Sequence, residues 1–128
     1  VYSMLGKVEE QTSMFEDHFL NIAVAYGGRR EIVEATRQIA WKVLRGELDL
    51  EEINENLFEN YLQTSHLPNP HPDLVIRTSG ELRISNFLLW QIAYSELVFL
   101  DVYWPEFRRI DFLRAIRTYQ RRARRFGA

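Results

Sequence analysis

The chain has 128 residues, 46% of them hydrophobic and 13% aromatic, which is enough apolar side chain for a core and too much for a disordered chain. It contains no cysteine, so a disulfide framework, a thiolate metal site and a thiol nucleophile are excluded, and no apolar run approaches the roughly 18 residues of a membrane-spanning helix. The net charge of −2 hides an asymmetry: residues 1–72 carry 6 Lys/Arg against 12 Asp/Glu, or −6, while residues 73–128 carry 10 Arg and no Lys against 6 Asp/Glu, or +4.

A helical pattern runs almost from the first residue, which is Val1 rather than Met. No secretory signal pattern precedes it, and the expectation is a chain that begins inside a longer protein. Residues 20–26, LNIAVAY, alternate Leu20, Ile22, Val24 and Tyr26 with Asn21, Ala23 and Ala25. This predicts a strand with a small-residue face for helix packing. Gly27 and Gly28 end it. Residues 29–45 read as a helix with Ile32, Val33, Thr36, Ile39, Ala40, Val43 and Leu44 on one side, stopped by Gly46. Asp49 with Glu52 resembles a capping box opening a helix over 50–62, with Ile53, Leu57, Phe58 and Tyr61 inward.

The proline-rich HLPNPHPD, residues 66–73, is a connector too short to be a domain linker. DLVIR is a second strand. NFLLWQIAYSE reads as a short buried helix, and LVFLDVYW as a third strand ended by Pro105. Asp111 caps a last helix over 112–126, whose stripe is Phe112, Ile116, Tyr119, Ala123 and Phe126. Strands alternating with helices predict an α/β fold, a mostly parallel sheet flanked by helices, in a single domain over 1–128. Three strands are few for such a sheet, which again points to further chain.

Arginine's planar fork suits bidentate contact with phosphate or carboxylate, so the basic second half hints at anion handling. A solvated arginine-rich helix explains the same bias. The sharper feature is RTSGELRIS, directly after the strand DLVI, where α/β sheets place their ligands. Arg77 closes the strand, Gly80 permits a tight turn, Arg83 returns to the same place, and Ser85 would cap a helix opening at Asn86. Two guanidinium groups, a hydroxyl and a helix N-terminus suit a diphosphate. The alternative is a structural Arg–Glu network with Glu81. Glu96 would end that helix, where a carboxylate is mildly unfavourable. Holding Mg²⁺ would explain it there, and a plain solvated glutamate is the rival reading.

YGGRRE matches neither GxGxxG nor the Walker pattern and is read as a tight turn rather than a phosphate cradle. His18, His66 and His71 lack metal-ligand spacing. Trp41, Trp90 and Trp104 are assigned to core or interface. RRARRFG, residues 121–127, is basic, yet the pI is near 5.9 and no aromatic-interleaved basic platform accompanies it, so no nucleic-acid partner is expected.

RTSGELRISNFLLWQIAYSELVF, followed by WPEF and RRFG, resembles the C-terminal half of a cis-prenyltransferase, the family of undecaprenyl diphosphate synthases and their dolichol-type relatives. LNIAVAYGGRREIV resembles the family's central strand–turn–helix. The resemblance implies Z-type condensation of isopentenyl diphosphate with an allylic diphosphate, giving a long polyprenyl diphosphate, with Mg²⁺ assisting departure of the allylic diphosphate. It implies that Arg77, Arg83 and Ser85, with the backbone at Ile84 between the last two, bind isopentenyl diphosphate. Glu96 matches the glutamate that helps hold Mg²⁺ at the active site of the partner subunit in a homodimer. Arg125 and Gly127 match an R-x-G element that reaches across the dimer to the same diphosphate. The family's D-G-N-x-R stretch, with its essential aspartate and allylic-diphosphate loop, has no counterpart in this sequence, and neither has the hydrophobic tunnel wall.

The chain is therefore expected to be the C-terminal portion of such an enzyme and to show no turnover alone. Leu82 stands where many bacterial members have histidine, and Ser79 and Ala25 look more like archaeal or eukaryotic members. The expected setting is cytoplasmic with peripheral membrane contact, since a polyprenyl product passes to a membrane. Two rival readings are a non-catalytic partner subunit, which a separate catalytic partner in a pull-down would favour, and a generic phosphate-binding module, which should bind nucleotides equally well.

Overall fold

The computed structural model describes residues 2–122. Its elements are helix α1 (Tyr2–Thr12), helix α2 (Gly28–Leu44), a 3₁₀ turn (Leu50–Glu52), helix α3 (Glu55–Glu59), strand β1 (Leu74–Arg77), strand β2 (Glu96–Phe99), a second 3₁₀ turn (Trp104–Glu106) and helix α4 (Arg109–Arg121). The two strands pair in parallel, Leu74 opposite Glu96 and Arg77 opposite Phe99. Helix α4 packs against β2, and α2 against α3. The α/β class with a parallel sheet agrees with the sequence reading. No helix among the described residues is long and apolar enough to cross a membrane.

The expected strand over 20–26 does not form. A strand needs a neighbour to receive its hydrogen bonds, and none of the described residues pairs with this segment. Leu20, Ile22 and Val24 stand in solvent, Leu20 at 87% exposure. The accessible surface of 10780 Å² exceeds the about 7,100 Å² of a compact monomer of this mass. The exposed residues include the large apolar side chains Phe19, Trp41, Leu44 and Trp104.

Helix α2 forms where expected, but its buried stripe is Glu31, Ala35 and Ile39, spaced by four. Val33 and Leu44, assigned inward, are exposed. Thr36 and Ala40 of the expected stripe are exposed as well, and the buried face instead carries a carboxylate that apolar periodicity cannot detect. Glu31, 2% exposed, accepts from the Tyr26 hydroxyl, from Gln63 N at 2.8 Å and from Gln91 Nε2 at 3.1 Å. Gln91 Nε2 also reaches Thr64 Oγ1 at 3.0 Å. Burial first, and then donation to Glu31, push the Tyr26 phenol above its ordinary pKa.

The Asp49–Glu52 capping box is present, but it opens only the 3₁₀ turn; the chain re-caps at Asn54, whose side chain accepts from Leu57 N, to begin α3. The expected continuous helix over 50–62 is thus split. Asp111 is likewise not the cap of α4. It lies in the first turn, where it accepts from Arg108 N at 3.1 Å and Arg114 Nη1 at 3.2 Å. The Arg108 backbone N–H is the main cause that holds its carboxyl below the usual range.

Residues 86–95 form successive turns rather than the expected helix. The reason lies at Asn86. Its backbone oxygen accepts from Gly28 N at 2.8 Å, and its Oδ1 accepts from Arg29 N at 2.8 Å. Asn86 therefore caps α2 from 57 residues away, using groups that a helix starting there would have kept for itself. Gly28 makes the approach feasible: a Cβ would lie 2.8 Å from Leu89 Cγ and 3.0 Å from Leu89 N. Asn86→Ala is expected to cost about 1 kcal/mol, the usual worth of a side-chain cap, read as a lower urea midpoint with unchanged slope. An unchanged midpoint would show that the remote cap contributes nothing.

Candidate functional site

Strand β1 delivers Arg77 to the carboxyl end of the sheet. The chain then runs beside the end of β2: Leu100 N donates to Arg77 O at 2.8 Å, Gly80 N to Leu100 O at 3.0 Å and Ser79 N to Val102 O at 2.8 Å. Ser79 and Gly80 both have positive φ, 79° and 69°. At Gly80 the left-handed backbone is combined with crowding, since a Cβ would meet Asp101 Oδ1 at 2.8 Å. This reversal brings Glu81 back over Arg77. Arg77 Nη2 pairs with Glu81 Oε2, and Arg83 Nη2 pairs with Glu81 Oε1 at 2.7 Å. Both guanidinium groups thus converge on one carboxylate. The Arg–Glu network raised as an alternative is present, and it also brings together the donors proposed for an anion.

Arg77 is the inner member, its side chain 25% exposed against 68% for Arg83. Its Nε is buried with no hydrogen-bond partner among the described residues. Beside it lies a cavity of about 310 Å³, lined by Ile76, Arg77, Ser79, Ile84 and Phe87 among others.

Ser85 does not cap a helix. It sits with Asn86 at the centre of a turn closed by Phe87 N donating to Ile84 O at 3.1 Å. Both central residues have positive φ, 47° and 65°, as in a type I′ turn. Leu88 follows at 43°. Non-glycine residues in this conformation are uncommon and collect at functional loops. The YGGRRE segment is no phosphate cradle, because Asn86 already occupies the first N–H groups of α2. Nor is it a tight turn: Gly27 is extended, with φ of −159° and ψ of 121°, and leads straight into α2 at Gly28.

Glu96 ends no helix; it opens β2. In the parallel register it lies three residues before the position opposite Arg77, about 10 Å along the strand. Within this chain it is therefore apart from the arginine pair. Its Oε2 accepts from Arg122 Nη1 at 3.0 Å, and the same nitrogen donates to Leu97 O at 2.6 Å. The described residues contain no group of three or more His, Cys, Asp or Glu that could hold a metal. Glu96 fits Mg²⁺ only as a single contributed carboxylate, a number that ion accepts alongside phosphate oxygens. Arg125 and Gly127 lie outside the described residues.

Sequence reasoning missed Asn86 as the link between the turn and α2, and Arg122 as the partner of Glu96. Neither leaves a local signal, since each acts on a residue at least 26 positions away. His71, to which no chemistry was assigned, pairs with Glu59 at 3.2 Å. Donation from the Trp90 indole N–H, at 3.1 Å, is the main cause that lowers the Glu59 pKa.

The undecaprenyl diphosphate synthase family model matches residues 1–127. The chain belongs to this prenyltransferase family. It is 60% identical over 127 residues to a tritrans,polycis-undecaprenyl-diphosphate synthase (geranylgeranyl-diphosphate specific) from Methanocaldococcus jannaschii, covering 99% of this chain and 45% of the relative. The protein of the same name from Methanopyrus kandleri is 60% identical over 123 residues, again 45% of its length. The crystal structure of lavandulyl diphosphate synthase from Lavandula x intermedia, in complex with dimethylallyl diphosphate, superposes with a TM-score of 0.96 at 41% identity. That match covers 99% of this chain and 54% of the plant enzyme. The chain thus spans about half the length of these prenyltransferase relatives.

Proposed function

We propose that this chain is the C-terminal portion of a cis-prenyltransferase and supplies its isopentenyl diphosphate site. The observation that carries this is the convergence of Arg77 and Arg83 on a single anionic position at the carboxyl end of the parallel sheet. Charge-assisted, forked donors of this kind suit a diphosphate. Ser85 is assigned its hydroxyl and Ile84 its backbone in the same site, and Ile84 lines the cavity beside Arg77. Arg125 and Gly127 are assigned to the same diphosphate from across a homodimer.

In the proposed reaction the isopentenyl double bond forms a carbon–carbon bond to the allylic carbon as that carbon's bond to its diphosphate oxygen breaks, and loss of a proton leaves a Z double bond and free inorganic diphosphate. The names of the archaeal relatives specify geranylgeranyl diphosphate, and the same allylic substrate is proposed here. Mg²⁺, when bound, would assist departure of the allylic diphosphate. This chain's residues bind and orient the other substrate, and Glu96 contributes one carboxylate to the metal in the partner subunit. The large exposed apolar surface is consistent with a chain that packs on further protein. The product's polyprenyl tail implies peripheral membrane contact.

The test is competition on the intact protein. Isopentenyl diphosphate bound to it should be displaced by inorganic diphosphate and poorly by a nucleoside diphosphate. Equal displacement by the nucleotide would favour a generic phosphate-binding module instead.

A further inference from the structure

Glu81 occupies the position from which the two arginines are proposed to hold substrate. Its carboxylate spends one oxygen on each guanidinium group. It follows the left-handed backbone at Ser79 and Gly80, which at Ser79, a non-glycine residue, is a local cost that an arbitrary surface glutamate would not require. We propose that Glu81 is a displaceable internal counter-anion: it holds Arg77 and Arg83 facing one another, and the incoming diphosphate drives it off both. This rests on the reading of the arginine pair as the isopentenyl diphosphate site.

Three features favour displacement over permanent bridging. First, Glu81 is 40% exposed and Arg83 68%, so the outer pair is half in water, where ion pairs are weak. Second, a carboxylate offers two oxygens and one negative charge, whereas a diphosphate offers more of each to the same forks. Third, the bridge leaves Arg77 Nε buried without a partner. A buried donor with no acceptor carries an energetic penalty. A larger anion that re-aims the guanidinium group can relieve it. A diphosphate binding beside a retained Glu81 would instead place like charges in contact.

Displacement lowers apparent affinity, because the site is competent only when Glu81 has left. It also protects two clustered cations from mutual repulsion and screens the site against weaker anions such as carboxylates. The opposite role, a fixed positioning residue, predicts the opposite sign for loss of its charge.

The decisive experiment is calorimetric titration of inorganic diphosphate into the intact protein, unmodified and as Glu81→Gln, with thermal melting as a check on folding. Glu81→Gln keeps the size and removes the charge. It should bind inorganic diphosphate about fivefold more tightly, as expected for release of a partly exposed ion pair. Equal or weaker binding by Glu81→Gln, with normal binding by the unmodified protein and loss in Arg77→Ala, would overturn displacement while leaving the arginine site intact. Binding by Glu81→Gln alone would support displacement in its strongest form. No binding by either protein would remove both the site and this inference. If Glu81→Gln does not fold, the unmodified protein crystallised with inorganic diphosphate decides: displacement requires the Glu81 carboxylate to be off both arginines, and a retained bridge overturns it.

Discussion

Arg77→Ala should weaken isopentenyl diphosphate binding at least about tenfold, because charge-assisted hydrogen bonds to a sheltered anion are worth about 1.5–3 kcal/mol. Of the two arginines Arg77 is the more enclosed, 25% exposed against 68% for Arg83. Its guanidinium group loses less interaction to water and salt. Arg83→Ala should therefore cost less and depend more on ionic strength. Arg77→Lys keeps the charge but not the planar fork, so it should recover only part of the loss. Titration calorimetry on the intact protein measures all three. Unchanged affinity in Arg77→Ala would sink the assignment of that residue, whatever the other two show.

The α/β class was legible because DLVIR and LVFL are short apolar runs separated by turn-rich chain, and β1 and β2 form where those runs lie. Helix α2 was legible from its length and its Gly46 stop, which has φ of 68°. The failures have particular causes. LNIAVAY carries strand periodicity, but periodicity supplies no hydrogen-bonding neighbour, and none lies among the described residues. NFLLWQIAYSE is apolar enough for a helix, yet Asn86 commits its oxygen atoms to α2 and the segment turns instead. The convergence of Arg77 and Arg83 could be inferred from their spacing around Gly80. The carboxylate between them was visible only as a competing reading, because a glutamate four residues from one arginine and two from the other fits a network and a gate equally well.

Glu31→Ala should destabilise the fold by about 3 kcal/mol, since it leaves the buried Gln91 amide, the part-buried Gln63 N–H and the Tyr26 hydroxyl without their acceptor. Glu31 is 2% exposed, so water reaches the site poorly, and the methyl group that remains cannot fill the volume. For a chain of this size the loss should lower the melting temperature by about 10 °C. Glu31→Gln keeps the volume and one acceptor oxygen but turns an NH₂ group toward existing donors, and should fall between the two. Urea denaturation followed by circular dichroism gives the comparison; a change below about 0.5 kcal/mol would mean that the network contributes little. Among the described residues, Glu31 and its partners share no hydrogen bond or ion pair with the Arg77–Glu81–Arg83 cluster. Well below its melting temperature the variant should therefore bind inorganic diphosphate within about twofold of the unmodified protein, as distant sites act additively. A larger loss would mean that the buried carboxylate, through Gln91 and the strained turn before it, sets the geometry of the anion site as well as the stability of the fold.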